Sequence, residues 1–265
     1  MVFLLTRIDE KIDLLKKQSK KALVAYLVAG DPDLDSTLEL MHGFVDSGVD
    51  IIEIGVPFTD PIAEGPVIQA AHDRALNNQT SLDEIFNLIK KFRKKNFDTP
   101  LILMGYINTF LANLETLKES HKFGTDAVLI VDIPGESSLK EIGVKNFNLD
   151  SISLIAPTTS KDRISKICSS SSGFIYYITL RGVTGSSHLD IKEAKKNIKY
   201  IRSQTNLPVF AGFGIKTPED ATNLSKISDG IVIGSSLVQM IHEESNQKEY
   251  KKIYNYLKEM SDAIN

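Results

Sequence analysis

The chain has 265 residues, 42% of them apolar, and a formal net charge of -3 at pH 7. That length and apolar share suffice for a sizeable core, and a near-neutral balance without long blocks of one sign gives no reason to expect nucleic acid or an anionic membrane as partner. The single cysteine, Cys168, excludes an intrachain disulfide and reads as a buried structural thiol, while five scattered histidines show no metal-ligand spacing.

Met1–Leu5 is apolar but too short for a signal h-region, and no segment is long and apolar enough to span a bilayer. The expectation is a soluble protein of a reducing compartment, the cytoplasm. Next, Ile8–Leu15 has the spacing of an amphipathic helix. Then short apolar runs begin to alternate with longer amphipathic stretches. The runs are Ala22–Val28, Val49–Ile54, Leu101–Met104, Ala127–Val131, Ile152–Ile155, Phe174–Ile178, Val209–Ala211 and Gly230–Ile233. Each is too short for a typical helix, and near-continuous apolarity suits a strand buried on both faces.

Between the runs, the periodicity is helical. Leu82, Ile85, Phe86 and Ile89 form one stripe, with Ser81 and Glu84 placed as a capping box. The basic run Lys90, Lys91, Arg93, Lys94 and Lys95 reads as that helix's solvated end rather than a phosphate patch. Thr217-Pro218-Glu219-Asp220 starts another helix, with a cap, proline at N1 and acids in the first turn. Ser169–Gly173 reads as a loop before the sixth strand. Eight strands separated by helices predict an α/β fold, a (β/α)₈ barrel of typical size, about 250 residues, with residues 1–265 as one domain. A doubly wound open sheet is the alternative, but no glycine-rich dinucleotide fingerprint follows any strand.

Two connections exceed the usual length. Gly55–Thr80 must hold an extra element, and Gly182–Asp190 is rich in glycine and hydroxyl groups. Both follow strands, on the face where barrel active sites lie. Alternation puts Val49, Ile51 and Glu53 on one face, so Glu53 should project from the strand's upper end into the pocket. Glu64 lies in the first long loop, between Pro61 and Pro66. Spacing alone leaves it open whether it is a pocket acid or a solvated one. Two carboxyls facing one pocket can be driven to different pKa values, letting one give a proton while the other takes one. Gly212-Phe213-Gly214 and Gly234-Ser235-Ser236 follow strands seven and eight, where barrels often bind phosphate on backbone N–H groups. Arg181–Ser187 reads as a lid.

These segments, in order, resemble the tryptophan synthase alpha subunit family. The matching text is Ala29-Gly30-Asp31-Pro32, Glu53-Ile54-Gly55-Val56-Pro57-Phe58-Thr59-Asp60-Pro61, Gly65-Pro66-Val67-Ile68-Gln69, Met104-Gly105-Tyr106-Ile107-Asn108, Asp132-Ile133-Pro134, Gly182-Val183-Thr184-Gly185 and Gly212-Phe213-Gly214-Ile215. The resemblance implies retro-aldol cleavage of indole-3-glycerol phosphate to indole and glyceraldehyde 3-phosphate. Glu53 matches the family's proton-shuttling glutamate. Glu64 falls where the family carries an acid, most familiarly aspartate, against the indole N–H. Thr184 matches the lid threonine that positions this second acid. Tyr106 and Tyr176 match pocket tyrosines, and Phe213, Ile155 and Val232 match apolar positions around the indole. Gly185, Gly214, Gly234 and Ser235 match the phosphate cradle.

The resemblance also implies a beta subunit as partner, in an α2β2 heterotetramer. The pyridoxal phosphate belongs to that partner, and this chain needs no cofactor or metal. Pro57, Phe58, Thr59 and Asp60, with Asp132 and Pro134, match the communicating face. Rival readings are a stand-alone lyase on the same scaffold and a catalytically decayed subunit that only activates its partner. Intact Glu53, Glu64 and Thr184 argue against decay. A metal-dependent sugar-phosphate isomerase barrel would want clustered ligands that the histidines do not supply.

Overall fold

The computed structural model describes residues 6–137, 148–179, 191–212, 214–247 and 249–265. Eight parallel strands close a barrel in chain order, each paired with its sequence neighbours and the last with the first. They are β1 (Ala22–Val28), β2 (Ile51–Gly55), β3 (Leu101–Gly105), β4 (Ala127–Ile130), β5 (Asp150–Ile155), β6 (Ile175–Ile178), β7 (Val209–Gly212) and β8 (Gly230–Ile233). The apolar runs in the sequence match them to within about two residues at each end. Helix α1 (Arg7–Lys17) precedes the barrel, and α2 (Leu34–Asp46) joins β1 to β2. The long connection after β2 holds the extra element, α3 (Pro66–Asn77), ahead of α4 (Leu82–Arg93). There follow α5 (Ile107–Ala112) and α6 (Leu114–Phe123) before β4, α7 (Lys161–Ser170) before β6 and α8 (Ile191–Arg202) before β7. The last helices are α9 (Pro218–Ser225) before β8, then α10 (Ser235–Glu244) and α11 (Lys251–Ile264).

Strand alternation sorts the apolar side chains into two layers. Val24, Ile51, Ile102, Leu129, Ile152, Phe174, Phe210 and Val232 fill the barrel. Their neighbours, among them Leu23, Ile52, Leu103, Val128, Ile155, Ile175 and Ile231, face the helices. Val49 departs from expectation: it precedes β2 and packs in the outer layer, so Ile51 alone continues the inward row to Glu53. Helix α1 closes the barrel's lower end by burying Ile8, Ile12 and Leu15 against the inner layer. Its start is fixed by a reciprocal capping box between Thr6 and Asp9. The box expected at Ser81 is formed, and the cap expected at Thr217 is likewise a reciprocal box, with Asp220.

A recurring device sets the lower rim. An aspartate stands immediately before β2, β4 and β8, and its carboxylate accepts an N–H from the first or second residue of a neighbouring strand. Asp50 takes Leu23 N–H at 2.9 Å, Asp126 takes Leu101 N–H at 2.8 Å and Asp229 takes Val209 N–H at 2.9 Å. These N–H groups would otherwise end a ladder without a partner, a costly omission near the core.

Two sequence expectations need correction here. Helix α7 runs through Ser169 and Ser170, so the loop before β6 is shorter than composition suggested. The hydroxyls of Ser170 and Ser171 bond back to carbonyls of the last turn, such as Ile167 O, which lets a serine run finish a helix. The basic run also does not lie wholly in solvent. Arg93 is buried, bridges Asp126 at 2.8 Å and donates to the carbonyl oxygens of Gly124 and Thr99. Arg7 holds the other oxygen of Asp126 at 2.6 Å. Burial pulls the Arg93 guanidinium down to about 10, still far above neutrality, so the bridge is ionic. Breaking a buried pair from one side typically costs about 3–5 kcal/mol. Arg93→Ala should therefore lower the urea midpoint sharply while exposed Lys94→Ala leaves it in place. Equal midpoints for the two variants would mean that Arg93 contributes no more than a surface lysine.

Candidate active site

Glu53 sits on β2 in register with Tyr26 of β1 and Ile102 of β3, and its side chain points into the barrel's upper mouth. It is only 2% exposed, and its Oε1 has no hydrogen-bond partner. Burial, reinforced by the charge of Glu64, pushes its pKa up to about 8. A carboxyl so placed holds its proton at neutral pH yet can release it.

Glu64 enters from the loop between β2 and α3. A turn from Pro61 and the start of α3, with Gly65 as N-cap and Pro66 at N1, set its backbone. The Gln69 side chain donates to its carbonyl oxygen at 2.8 Å. The Tyr106 hydroxyl donates to the Glu64 carboxylate and accepts Ala63 N–H at 3.0 Å, so one phenol fixes both acid and loop. Tyr106 in turn stacks on Phe58, with ring centroids 4.7 Å apart. Phe58 N–H donates to His72 Nδ1 at 3.1 Å, which places that histidine's proton on Nε2. Burial draws the His72 pKa down to about 4, so it stays neutral. For Glu64, partial burial raises the pKa, the Tyr106 hydrogen bond opposes this, and Asp132 adds to the rise. The two acids differ: Glu53 is dry and lacks a partner on one oxygen, whereas Glu64 is half-buried and holds a phenolic donor.

The opposite wall carries Tyr176 and Val232. Tyr176 lies in register with Leu154 of β5 and Phe210 of β7, and a side chain at Gly212 would meet its hydroxyl at 2.6 Å. Val232 is buried on the inward face of β8. Ile155 does not join them. Because Ile152 points inward, Ile155 must point out, and it packs in the helix-facing layer while Leu154 takes the inward place. Gly214 and Gly234 stand above β7 and β8, and a bond from Ser236 Oγ to Ile215 O at 3.0 Å ties the two loops together. Gly234 is the N-cap of α10 and has no side chain to occupy the helix's first N–H groups; Ser235 follows it, exposed. Such an end suits an anion. Thr184, Gly185 and Phe213, with the expected lid, lie outside the described residues.

Pro57 is buried and Phe58 half-buried, whereas Thr59, Asp60, Asp132 and Pro134 are exposed. Asp132 accepts Ile107 N–H at 2.8 Å and so steadies the start of α5, where Tyr106 is N-cap. Tyr26 and His72 were missed in the sequence: a tyrosine within an apolar run reads as core, and a lone histidine on an amphipathic helix carries no signal. Among the described residues no cluster of His, Cys, Asp or Glu could hold a metal, and no helix is long and apolar enough to cross a membrane.

Known proteins show the same organisation. The family model described as "Tryptophan synthase alpha chain" matches residues 12–265. The tryptophan synthase alpha chain of Neisseria meningitidis serogroup B is 43% identical over 252 residues, covering 92% of this chain and 94% of the relative. That of Thiobacillus denitrificans is 45% identical over 240 residues, covering 89% of this chain and 88% of its own. The crystal structure of tryptophan synthase subunit alpha from Legionella pneumophila is 36% identical and superposes with a TM-score of 0.89 over 98% of this chain and 99% of that one. The chain belongs to the tryptophan synthase alpha chain family.

Proposed function

We propose that Glu53 carries the proton in both halves of the alpha reaction, the cleavage of indole-3-glycerol phosphate by which the chain acts as a lyase. The reaction needs a proton delivered to indole C3 and another removed from the adjacent side-chain hydroxyl. The bond between C3 and that carbon then breaks, its electron pair restoring the indole ring while the alkoxide becomes the aldehyde. One carboxyl can serve both steps, giving its proton to C3 and regaining one from the hydroxyl, so no net proton is consumed. The observation that carries this reading is the buried Glu53, its Oε1 without a partner and its pKa pushed up to about 8, beside the less buried Glu64. As a carboxylate, Glu64, held by Tyr106, stabilises the positive charge that C3 protonation places on the ring nitrogen. Tyr176, Val232 and Leu154 flank the indole. Gly185, Gly214, Gly234 and Ser235 take the phosphate.

The partner is a tryptophan synthase beta subunit in an α2β2 assembly within the cytoplasm, and pyridoxal phosphate belongs to that partner. Support comes from the mouth itself. Exposed Ile62 in the β2–α3 loop and exposed Leu111 on α5 lie with Thr59, Asp60, Asp132 and Pro134 on elements around the two acids. The test is indole release from indole-3-glycerol phosphate with and without the beta subunit. Release that rises on adding the partner is expected, and no release in either case would overturn the reading.

The phosphate assignment has its own check. A side-chain carbon at Gly234 would meet nothing nearer than Tyr26 at 3.9 Å, so there is room for one. It would nonetheless crowd an anion on the α10 N–H groups. Gly234→Val should weaken glycerol 3-phosphate binding by about tenfold or more in calorimetry, the loss of one charge-assisted hydrogen bond. Unchanged affinity would place the phosphate elsewhere.

A further inference from the structure

The mouth holds a buried polar group that the steps above do not use. Tyr26 is fully buried on the inward face of β1, in register with Glu53, and its hydroxyl has no hydrogen-bond partner. It is not there by default of space. A side chain at Gly55, two residues beyond Glu53, would meet the Tyr26 oxygen at 2.3 Å, so the missing Cβ is what admits the hydroxyl. A phenylalanine would satisfy the same apolar contacts with Val28, Ala71, Ala75 and Val238. Burying an unpaired hydroxyl costs stability, so its retention calls for a partner that is absent in the resting state. The Oε1 atom of Glu53 is the matching orphan on the adjacent strand.

We infer that Tyr26 is a positioning residue, whose hydroxyl donates a hydrogen bond to the Glu53 carboxylate during the interval in which Glu53 has lost its proton. This rests on the proton-carrying role given to Glu53 above. While Glu53 is protonated, the resting geometry leaves both atoms unpaired. Once the proton moves to indole C3, a bare carboxylate stands in a dry pocket and needs a donor. Tyr106 is committed to Glu64, so it does not serve. Desolvation, followed by the charges of Glu64 and Glu53, drives the Tyr26 pKa well above its usual value, which keeps the phenol a donor throughout.

Several other titratable groups surround Tyr26. Glu64, Tyr106 and Tyr176 share the mouth with it, and Asp132 acts on Glu64. On α3, His72 is neutral and Arg74 is held by Asp31 in two bonds of 2.7 and 2.8 Å. On α10 the contact is apolar Val238.

The test is Tyr26→Phe, in the wild-type and Glu53→Gln backgrounds, with the beta subunit present. Loss of the donor raises the Glu53 pKa, because only the charged form was stabilised. The alkaline limb of kcat against pH should move up by about one unit, and kcat at neutral pH should fall about tenfold with KM little changed. Carbon-13 titration of the labelled Glu53 carboxyl should show the same upward move without reference to turnover. In the Glu53→Gln background the tyrosine change should have no further effect. A Tyr26→Phe protein with unaltered kcat, limb and carboxyl titration overturns the inference. A rise in KM alone also overturns it and makes the hydroxyl a substrate contact. Near-normal activity of Glu53→Gln by itself would instead remove the role of Glu53, whatever Tyr26 does.

Discussion

Glu53→Gln is expected to lower indole release by about 10²–10⁴-fold, the usual worth of one general acid–base group. Glutamine fills the same space but can neither give nor take the proton, so both halves of the reaction fail together. The fold should survive and gain stability at alkaline pH. The Glu53 carboxyl titrates near its ordinary value when unfolded but at about 8 when folded, so between those values the folded state binds the extra proton. Stability then falls as pH rises through that window, by several kcal/mol at the order of magnitude of the shift. His72, with its pKa drawn down to about 4, acts in the opposite sense below neutrality, in both proteins alike. The difference in unfolding free energy between Glu53→Gln and wild type should therefore grow from about pH 5 to pH 8. A folded variant within a few-fold of wild-type turnover would remove Glu53 from the chemistry.

The second large effect is expected at Glu64. Glu64→Ala and Glu64→Gln both remove the charge that opposes the positive ring nitrogen, so both should lose kcat by about 10²-fold or more, with smaller changes in KM. Glu64→Asp keeps the charge but draws it back by one methylene from a Tyr106 hydroxyl placed for glutamate. It should retain measurable turnover, below wild type. Steady-state rates with saturating beta subunit rank the three, and Glu64→Gln turning over like wild type would show that the carboxylate has no electrostatic part.

Much of the architecture is legible before any coordinates because a barrel strand is buried on both faces, so each reads as a short unbroken apolar run. Glu53 stands out for the same reason, as a charge well inside such a run, on the face that Ile51 turns inward. Other features depend on contacts that are far apart in sequence. Nothing local to Ile8, Ile12 and Leu15 says that α1 plugs the barrel floor, or that Arg93 leaves its exposed basic neighbours to meet Asp126, three elements further along the chain. The family resemblance puts Ile155 at the indole. Counting alternation from Ile152 would have chosen Leu154, but only once Ile152 was known to face inward. Glu64 was ambiguous because its placement depends on Tyr106, 42 positions away, whose hydroxyl defines the loop. Tyr26 was hidden by its own hydrophobicity: the ring belongs in the run, and only the unpaired oxygen tells otherwise.

The most direct test of Glu53 as a proton donor on arrival is the pH dependence of kcat/KM for indole release by the wild-type protein with saturating beta subunit, since this reports the free enzyme. A carboxyl with a pKa of about 8 that must enter the reaction protonated gives a level profile from neutrality toward pH 8 and a tenfold fall for each unit beyond it. A rate that instead climbs through pH 8 would mean that Glu53 is needed as the bare carboxylate from the start, and the proton cycle described here would be wrong.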